Sequence, residues 1–116
     1  MELDQLQQTV VNALEDVKAT NIEVIDTTKL TALFDRMIIA SGNSGRQTRA
    51  LARNVQDEVK KAGGAVNSVE GEDGGDWVLV DLGTIIVHIM QPAVRAYYNL
   101  EELWKATPSH PKPSKP

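Results

Sequence analysis

Two apolar runs, Trp77–Leu82 and Ile85–Met90, stand on either side of Gly83-Thr84. A glycine in the first position of a two-residue loop is what a type II′ turn requires, because that position needs a positive φ. A tight hairpin is therefore predicted, and the loop sets its register: Leu82 faces Ile85, Asp81 faces Ile86 and Val80 faces Val87. One face then collects Val78, Val80, Leu82, Ile85, Val87 and Ile89, with no polar atom in any side chain, and must be buried against helices. The other collects Trp77, Leu79, Asp81, Ile86, His88 and Met90, a mixture too apolar for a wet surface and too polar for an ordinary interior. Two readings of it follow: a surface that contacts another macromolecule, where aromatic residues and Met are enriched, or a face under a second helix layer.

The remaining segments supply the cover. Leu3, Leu6, Val10, Leu14 and Val17 recur at spacings of three and four, which predicts a first helix over about residues 3–19 closed by Asn21. Ile22–Asp26 reads as a short strand at or near a sheet edge, and Met37–Ala40 as a second strand. Ser44 and Gln47 then form a capping box, and Leu51, Val55 and Val59 line one face of a helix over 45–62 that ends at Gly63-Gly64. With a strand over 65–69 this makes a βαβ unit, parallel and right-handed, which the hairpin extends antiparallel. Pro92 opens a final helix over 93–105 carrying Tyr97, Leu100, Leu103 and Trp104. The expected class is α/β (α+β), in the order αβ(βαβ)ββα. Its mixed sheet has helices mainly on one face, leaving the Trp77/His88/Met90 face open.

A chain of 116 residues suits one domain, here 1–105, followed by a Pro-rich tail at 106–116 whose composition predicts disorder. The absence of Cys excludes disulfides, thiolate catalysis and Cys-ligated metals. Met1 leads directly into the first amphipathic pattern, with no signal-peptide layout and no membrane-length apolar run, so a soluble cytoplasmic protein without a membrane partner is expected. A net charge of −4 argues against nonspecific binding to nucleic acid, DNA included, and suits a basic protein partner.

Four features could carry function. Glu70, Glu72, Asp73 and Asp76 crowd one glycine-rich loop whose spacing is not that of a calcium loop. Such a loop is either a solvated turn or an acidic lip beside Trp77 that steers a Lys- and Arg-bearing partner, and the second reading is the one we take. Ser41–Gly45 precedes a helix N-terminus but lacks the Gly-Lys-Ser/Thr of a phosphate loop, so it is read as a cap. Arg46, Arg49 and Arg53 share a helix side that suits either solvent or a phosphate backbone. His88 has no second His or Cys at ligand spacing, so it is read as a hydrogen-bonded or contact residue. No catalytic grouping can be assembled, and no cofactor or metal is expected.

Several motifs in order resemble one family. They are Met37-Ile38-Ile39-Ala40-Ser41-Gly42-Asn43-Ser44 with Arg46-Gln47, Glu70-Gly71 before Trp77–Gly83, Ile86-Val87-His88-Ile89-Met90, and Tyr97-Tyr98 with Leu100-Glu101 and Leu103-Trp104. Together they resemble the bacterial ribosomal silencing factors, the Iojap family, over nearly all of Leu3–Trp104. Arg36 departs from the pattern, which usually has an aromatic residue after the Asp.

The resemblance implies a nucleotidyltransferase-like fold, homodimerisation when free, and no enzymatic activity. It implies binding to ribosomal protein fourteen of the large subunit at the intersubunit face, blocking small-subunit joining and lowering translation when nutrients are scarce. Carried over by position, Trp77, His88, Met90 and Tyr98 form the contact centre, and Glu70, Glu72, Asp73 and Asp76 the acidic rim. The alternatives are an active small nucleotidyltransferase, which the reversed Ser44-Gly45 pair and the lack of any Asp-x-Asp oppose, and a ribosomal RNA-binding module using the arginines, whose RNA contact also stands as a secondary one.

Overall fold

The computed structural model describes residues 1–105, so the expected disordered tail lies outside the described residues. Its hairpin is the predicted one. Strands β4 (Trp77–Asp81) and β5 (Ile85–Met90) pair antiparallel with Asp81 opposite Ile86, Val80 opposite Val87 and Trp77 opposite Met90. Gly83 takes the positive φ of 88° that the turn needs, and its N–H donates to the Asp81 carboxylate at 2.8 Å.

Around the hairpin, β1 (Thr20–Asp26), β2 (Arg36–Ser41) and β3 (Ser68–Glu70) complete a five-stranded sheet in the order β1-β2-β5-β4-β3. Only β2 and β5 are parallel neighbours. The predicted βαβ unit is therefore split: β3 runs in the direction of β2, but the hairpin lies between them. Burial explains the insertion. Five of the six β5 residues are buried, which suits a central strand, whereas the three β3 residues are exposed or half-exposed and belong at an edge. β1 holds the other edge, as expected.

Helices α1 (Leu3–Asp16) and α2 (Gly45–Lys61) cover one face. Val10, Leu14, Leu51, Val55 and Val59 pack there against Ile38, Val78, Val80, Val87 and Ile89, all fully buried. Each such side chain contributes roughly 1.5–3 kcal/mol. α1 stops three residues short of the expected end because Lys18 turns left-handed, with φ of 67°, and the Ala19 N–H closes back on the Leu14 carbonyl at 3.0 Å.

The expected cap forms at the start of α2, with the return bond shifted one residue, to Asn43 instead of Ser44. Ser44 Oγ accepts from the Gln47 N–H at 3.1 Å, and Gln47 Oε1 accepts from the Asn43 N–H at 2.7 Å. The Gln47 amide also donates to the Val17 and Lys18 carbonyls, so one residue ties the start of α2 to the end of α1. Ser44→Ala is expected to cost about 1 kcal/mol, read as a melting point lower by about 4 °C.

The C-terminal helix departs most from expectation. It breaks into α3 (Pro92–Tyr98) and α4 (Leu100–Lys105) at Asn99, whose φ of 50° is left-handed. Asn is one of the few residues that adopts this conformation at low cost. Arg95 clamps the bend: its Nη1 donates to Ser41 Oγ at 2.8 Å, and its Nε pairs with Glu101 at 2.7 Å. Burial pushes the Glu101 carboxyl up, but backbone and Arg95 hydrogen bonds and the nearby cations together hold it below its ordinary value. Lys105 pairs with Glu23 of β1. The bend brings Leu100 and Trp104 onto the sheet face opposite α1 and α2, beside Ile25, Met37, Ile39 and Met90. That face is consequently recessed where it was expected to be open.

A recessed aromatic face as candidate partner-binding site

Pairing within the sheet decides which side chains meet. Trp77 and His88 sit on adjacent strands and point to the same face as diagonal neighbours, two residues out of register, because Trp77 pairs with Met90 and Leu79 with His88. Their rings lie 5.7 Å apart, and the Trp77 Nε1–H donates to His88 Nδ1 at 2.9 Å. From α3, Tyr98 packs against Trp77 with ring centroids 4.9 Å apart, and Tyr97 meets Tyr98 edge-on at 5.0 Å. Phe34 and Trp104 stack separately at 5.3 Å. The chain has five Phe, Trp and Tyr residues, and all five fall into these two groups.

Between the groups runs an open groove of about 400 Å³ with Trp77, Leu79, Ile86, His88, Leu100 and Trp104 among its walls. Among the described residues, Glu70 and Asp81 supply its charged side chains. His88 adds no charge: with 7% of its surface accessible, burial pushes its pKa down to about 4, so the imidazole is neutral at pH 7.

The expected contact residues separate by depth. Trp77 is half-buried and Tyr98 is 54% exposed, so both present aromatic surface, and Tyr97, which was not among the expected contacts, is 82% exposed beside them. Met90 is fully buried beside Val94 and Leu100, so it supports the face from beneath and offers no atoms to a partner. His88 is likewise nearly enclosed. Glu70, Asp73 and Asp76 are exposed, and Glu72 is half-buried.

The acidic loop is a fastened turn. The Gly75 carbonyl accepts from Thr48 Oγ1 at 2.6 Å and from the Gln91 amide at 3.2 Å, and the Gln91 N–H donates to the Asp76 carbonyl at 2.9 Å. A Cβ on Gly71 would stand 2.1 Å from the Trp77 carbonyl oxygen, so only glycine lets the loop pass this close to the start of β4. Arg49 leans on the same loop, with Nη1 3.5 Å from the Glu72 carbonyl, while Arg46 and Arg53 are exposed. Arg36 is also engaged, donating to Gln7 at 3.1 Å and pairing with Asp26 at 3.2 Å.

Sequence reasoning missed Phe34, Leu100 and Trp104 as walls of the groove, and Arg95 and Glu101 as the clamp that puts two of them there. The scarcity of aromatic residues was the available signal. With five in the chain, each had reason to share one site.

Fold and face together define a class: mixed-sheet α+β folds with a helical layer on one side and a short, bent helical segment framing an aromatic groove on the other. The crystal structure of a Chromobacterium violaceum protein is similar, with a TM-score of 0.89 and 46% identity, covering 100% of this chain and 91% of that one. The ribosomal silencing factor RsfS of Chromobacterium violaceum is 50% identical over 104 residues, 90% of this chain and 85% of its own length. The factor of the same name from Zymomonas mobilis is 42% identical over 101 residues, 87% of this chain and 76% of its own. A model of the family described as "Ribosomal silencing factor during starvation" matches residues 1–116. The chain belongs to the ribosomal silencing factor family.

Proposed function

We propose that the protein binds the large ribosomal subunit through ribosomal protein fourteen at the intersubunit face and sterically blocks association with the small subunit, repressing translation under nutrient limitation. The observation that carries this is the acid-rimmed aromatic groove beside Trp77, on a chain of the silencing-factor family. A specific interface covers roughly 800 Å² of each partner, a large share of one face of so small a domain. Blocking by occupancy needs no reaction, so the protein is read as a cytoplasmic binding factor without enzymatic activity or cofactor. Self-association of the free protein belongs to the same reading, and sedimentation velocity checks it. Preincubating large subunits with the protein should abolish the rise in light scattering when small subunits and magnesium are added. An unchanged rise with folded protein at stoichiometric excess rejects the proposal.

The acidic rim acts on the rate of encounter. Charges at the edge of an interface steer diffusion more than they add affinity. Reversing Asp73 and Asp76 to Lys should slow association several-fold and flatten its dependence on salt. Stopped-flow rates that do not move would place the loop away from the partner. An RNA contact through Arg46, Arg49 and Arg53 would instead steepen the salt dependence of equilibrium binding, and Arg49 is the least available of the three because it already rests on the Glu72 carbonyl.

A further inference from the structure

Trp77 has two close neighbours on this face: Tyr98 packs on it from α3, and His88 accepts its indole N–H from β5. A half-buried indole has two comfortable χ2 orientations, broad and roughly two-fold, and packing alone does not choose sharply between them. A hydrogen bond at 2.9 Å does, because only one orientation aims Nε1–H at His88 Nδ1.

We propose that His88 is a positioning residue for partner binding, whose bare Nδ1 fixes the Trp77 indole in the orientation that the partner meets. The proposal rests on the reading of this face as the partner site. Its chemistry follows from the direction of the bond. Trp Nε1 can only donate, so Nδ1 must accept, and the neutral ring must carry its proton on Nε2. His88 itself is nearly enclosed and His88–Met90 is buried strand, so the ring is a fixed post and not a mobile contact. A partner then meets an indole whose rotamer entropy is already spent, which is where preorganisation raises affinity. A histidine there is more than a space-filling ring, since Leu79 and Ile86 show that the same face accepts purely apolar side chains.

The test separates the bond from the ring. His88→Phe keeps an aromatic ring of similar size and removes the acceptor, whereas His88→Asn places Oδ1 near the position of Nδ1 and restores it. In wild-type protein labelled with ¹⁵N, a coupling across the hydrogen bond from Trp77 Nε1 to His88 Nδ1 and slow exchange of the Trp77 indole proton are expected. Binding to purified large subunits should weaken about tenfold in H88F and stay within about threefold of wild type in H88N, the difference made by one hydrogen bond. A folded H88F that binds like wild type overturns the proposal, as does an H88N no better than H88F. If H88F fails to fold, the wild-type spectrum and H88N decide: a missing coupling or a freely exchanging indole proton refutes the lock. Wild-type protein that does not bind large subunits at all, yet shows the coupling, strikes the partner assignment and leaves the lock in place.

Discussion

Trp77→Ala is expected to weaken binding to the large ribosomal subunit by more than about 2 kcal/mol, roughly a thirtyfold rise in Kd. Three features of the site set this magnitude. The indole is half-buried, so it is ordered before binding and still presents surface to a partner. It is flanked by His88 and Tyr98 at 5.7 and 4.9 Å, so truncation to Ala also loosens Tyr98, the next exposed aromatic in line. It stands between the groove and the acidic loop, whose Gly71 passes too close to the Trp77 backbone for any Cβ, so the apolar anchor and the charged rim are fixed to each other. Central, preorganised aromatic residues of this kind carry most of the energy in specific interfaces. Part of the Trp77 surface is packed on the buried group of Ile25, Met37, Ile39 and Met90, so the variant also loses stability, and the measurement has to be made on protein shown to be folded by circular dichroism. Sedimentation or interferometry with purified large subunits gives the Kd. A folded variant with unchanged Kd removes Trp77 from the interface and with it the centre of the proposed site.

The parts of this fold that were legible in the sequence are those fixed by local rules. The Gly83-Thr84 loop sets a register, and a register sets which side chains share a face, so both faces of the hairpin could be written down before any tertiary contact was known. Ser44 and Gln47 likewise announced the start of α2 through their own spacing. What stayed hidden depends on contacts distant in sequence. β3 was expected beside β2 because local pattern shows strands and crossovers but not what is inserted between them. The choice rests on β5 burying more apolar surface than β3 can. The continuous helix over 93–105 had sound periodicity, yet a buried Arg95 reaching Ser41, 54 residues earlier in the chain, together with a left-handed Asn99, bends it over the sheet. That bend turns an open face into a groove. It also buries Met90, which had been expected to meet a partner, and leaves Tyr97 and Tyr98 outside. Even the Trp77–His88 pair was only half legible: their shared face follows from register, but the bond between Nε1 and Nδ1 depends on how deeply β5 lies beneath α3 and α4.

That depth should make folding depend on pH. His88 titrates at about 4 in the folded protein against 6.5 for a solvated histidine, and burial is the cause. Between these values the unfolded chain takes up a proton that the native state refuses, so stability falls as pH drops through 6.5 and levels off below about 4, where the native ring also protonates. Over the whole window the loss amounts to roughly 3 kcal/mol, a large part of the 5–15 kcal/mol typical of a domain. Carboxylates held below their ordinary values, such as Asp26, which accepts hydrogen bonds from Thr28, and Glu101, also lose stability in acid, but their losses begin lower, near the ordinary carboxylate values of 3.8 and 4.5. The two contributions can therefore be told apart. Urea unfolding at pH 7, 6, 5 and 4 should show a steady decline in wild-type protein, and His88→Asn, which has no proton to gain, should remove the His88 part between pH 6.5 and about 4 and keep only the carboxylate part that sets in below about pH 4.5. A flat wild-type profile between pH 7 and 5 would mean that water reaches His88 freely. Protonation of the native ring would also remove the Nδ1 acceptor, so release of the Trp77 indole from its bond, visible as faster exchange of the Nε1 proton, is expected only near pH 4, where the stability curve levels off. One ring would thus set two thresholds: stability begins to fall near pH 6.5, where the unfolded chain protonates, and the binding face keeps its geometry until the native ring protonates near 4.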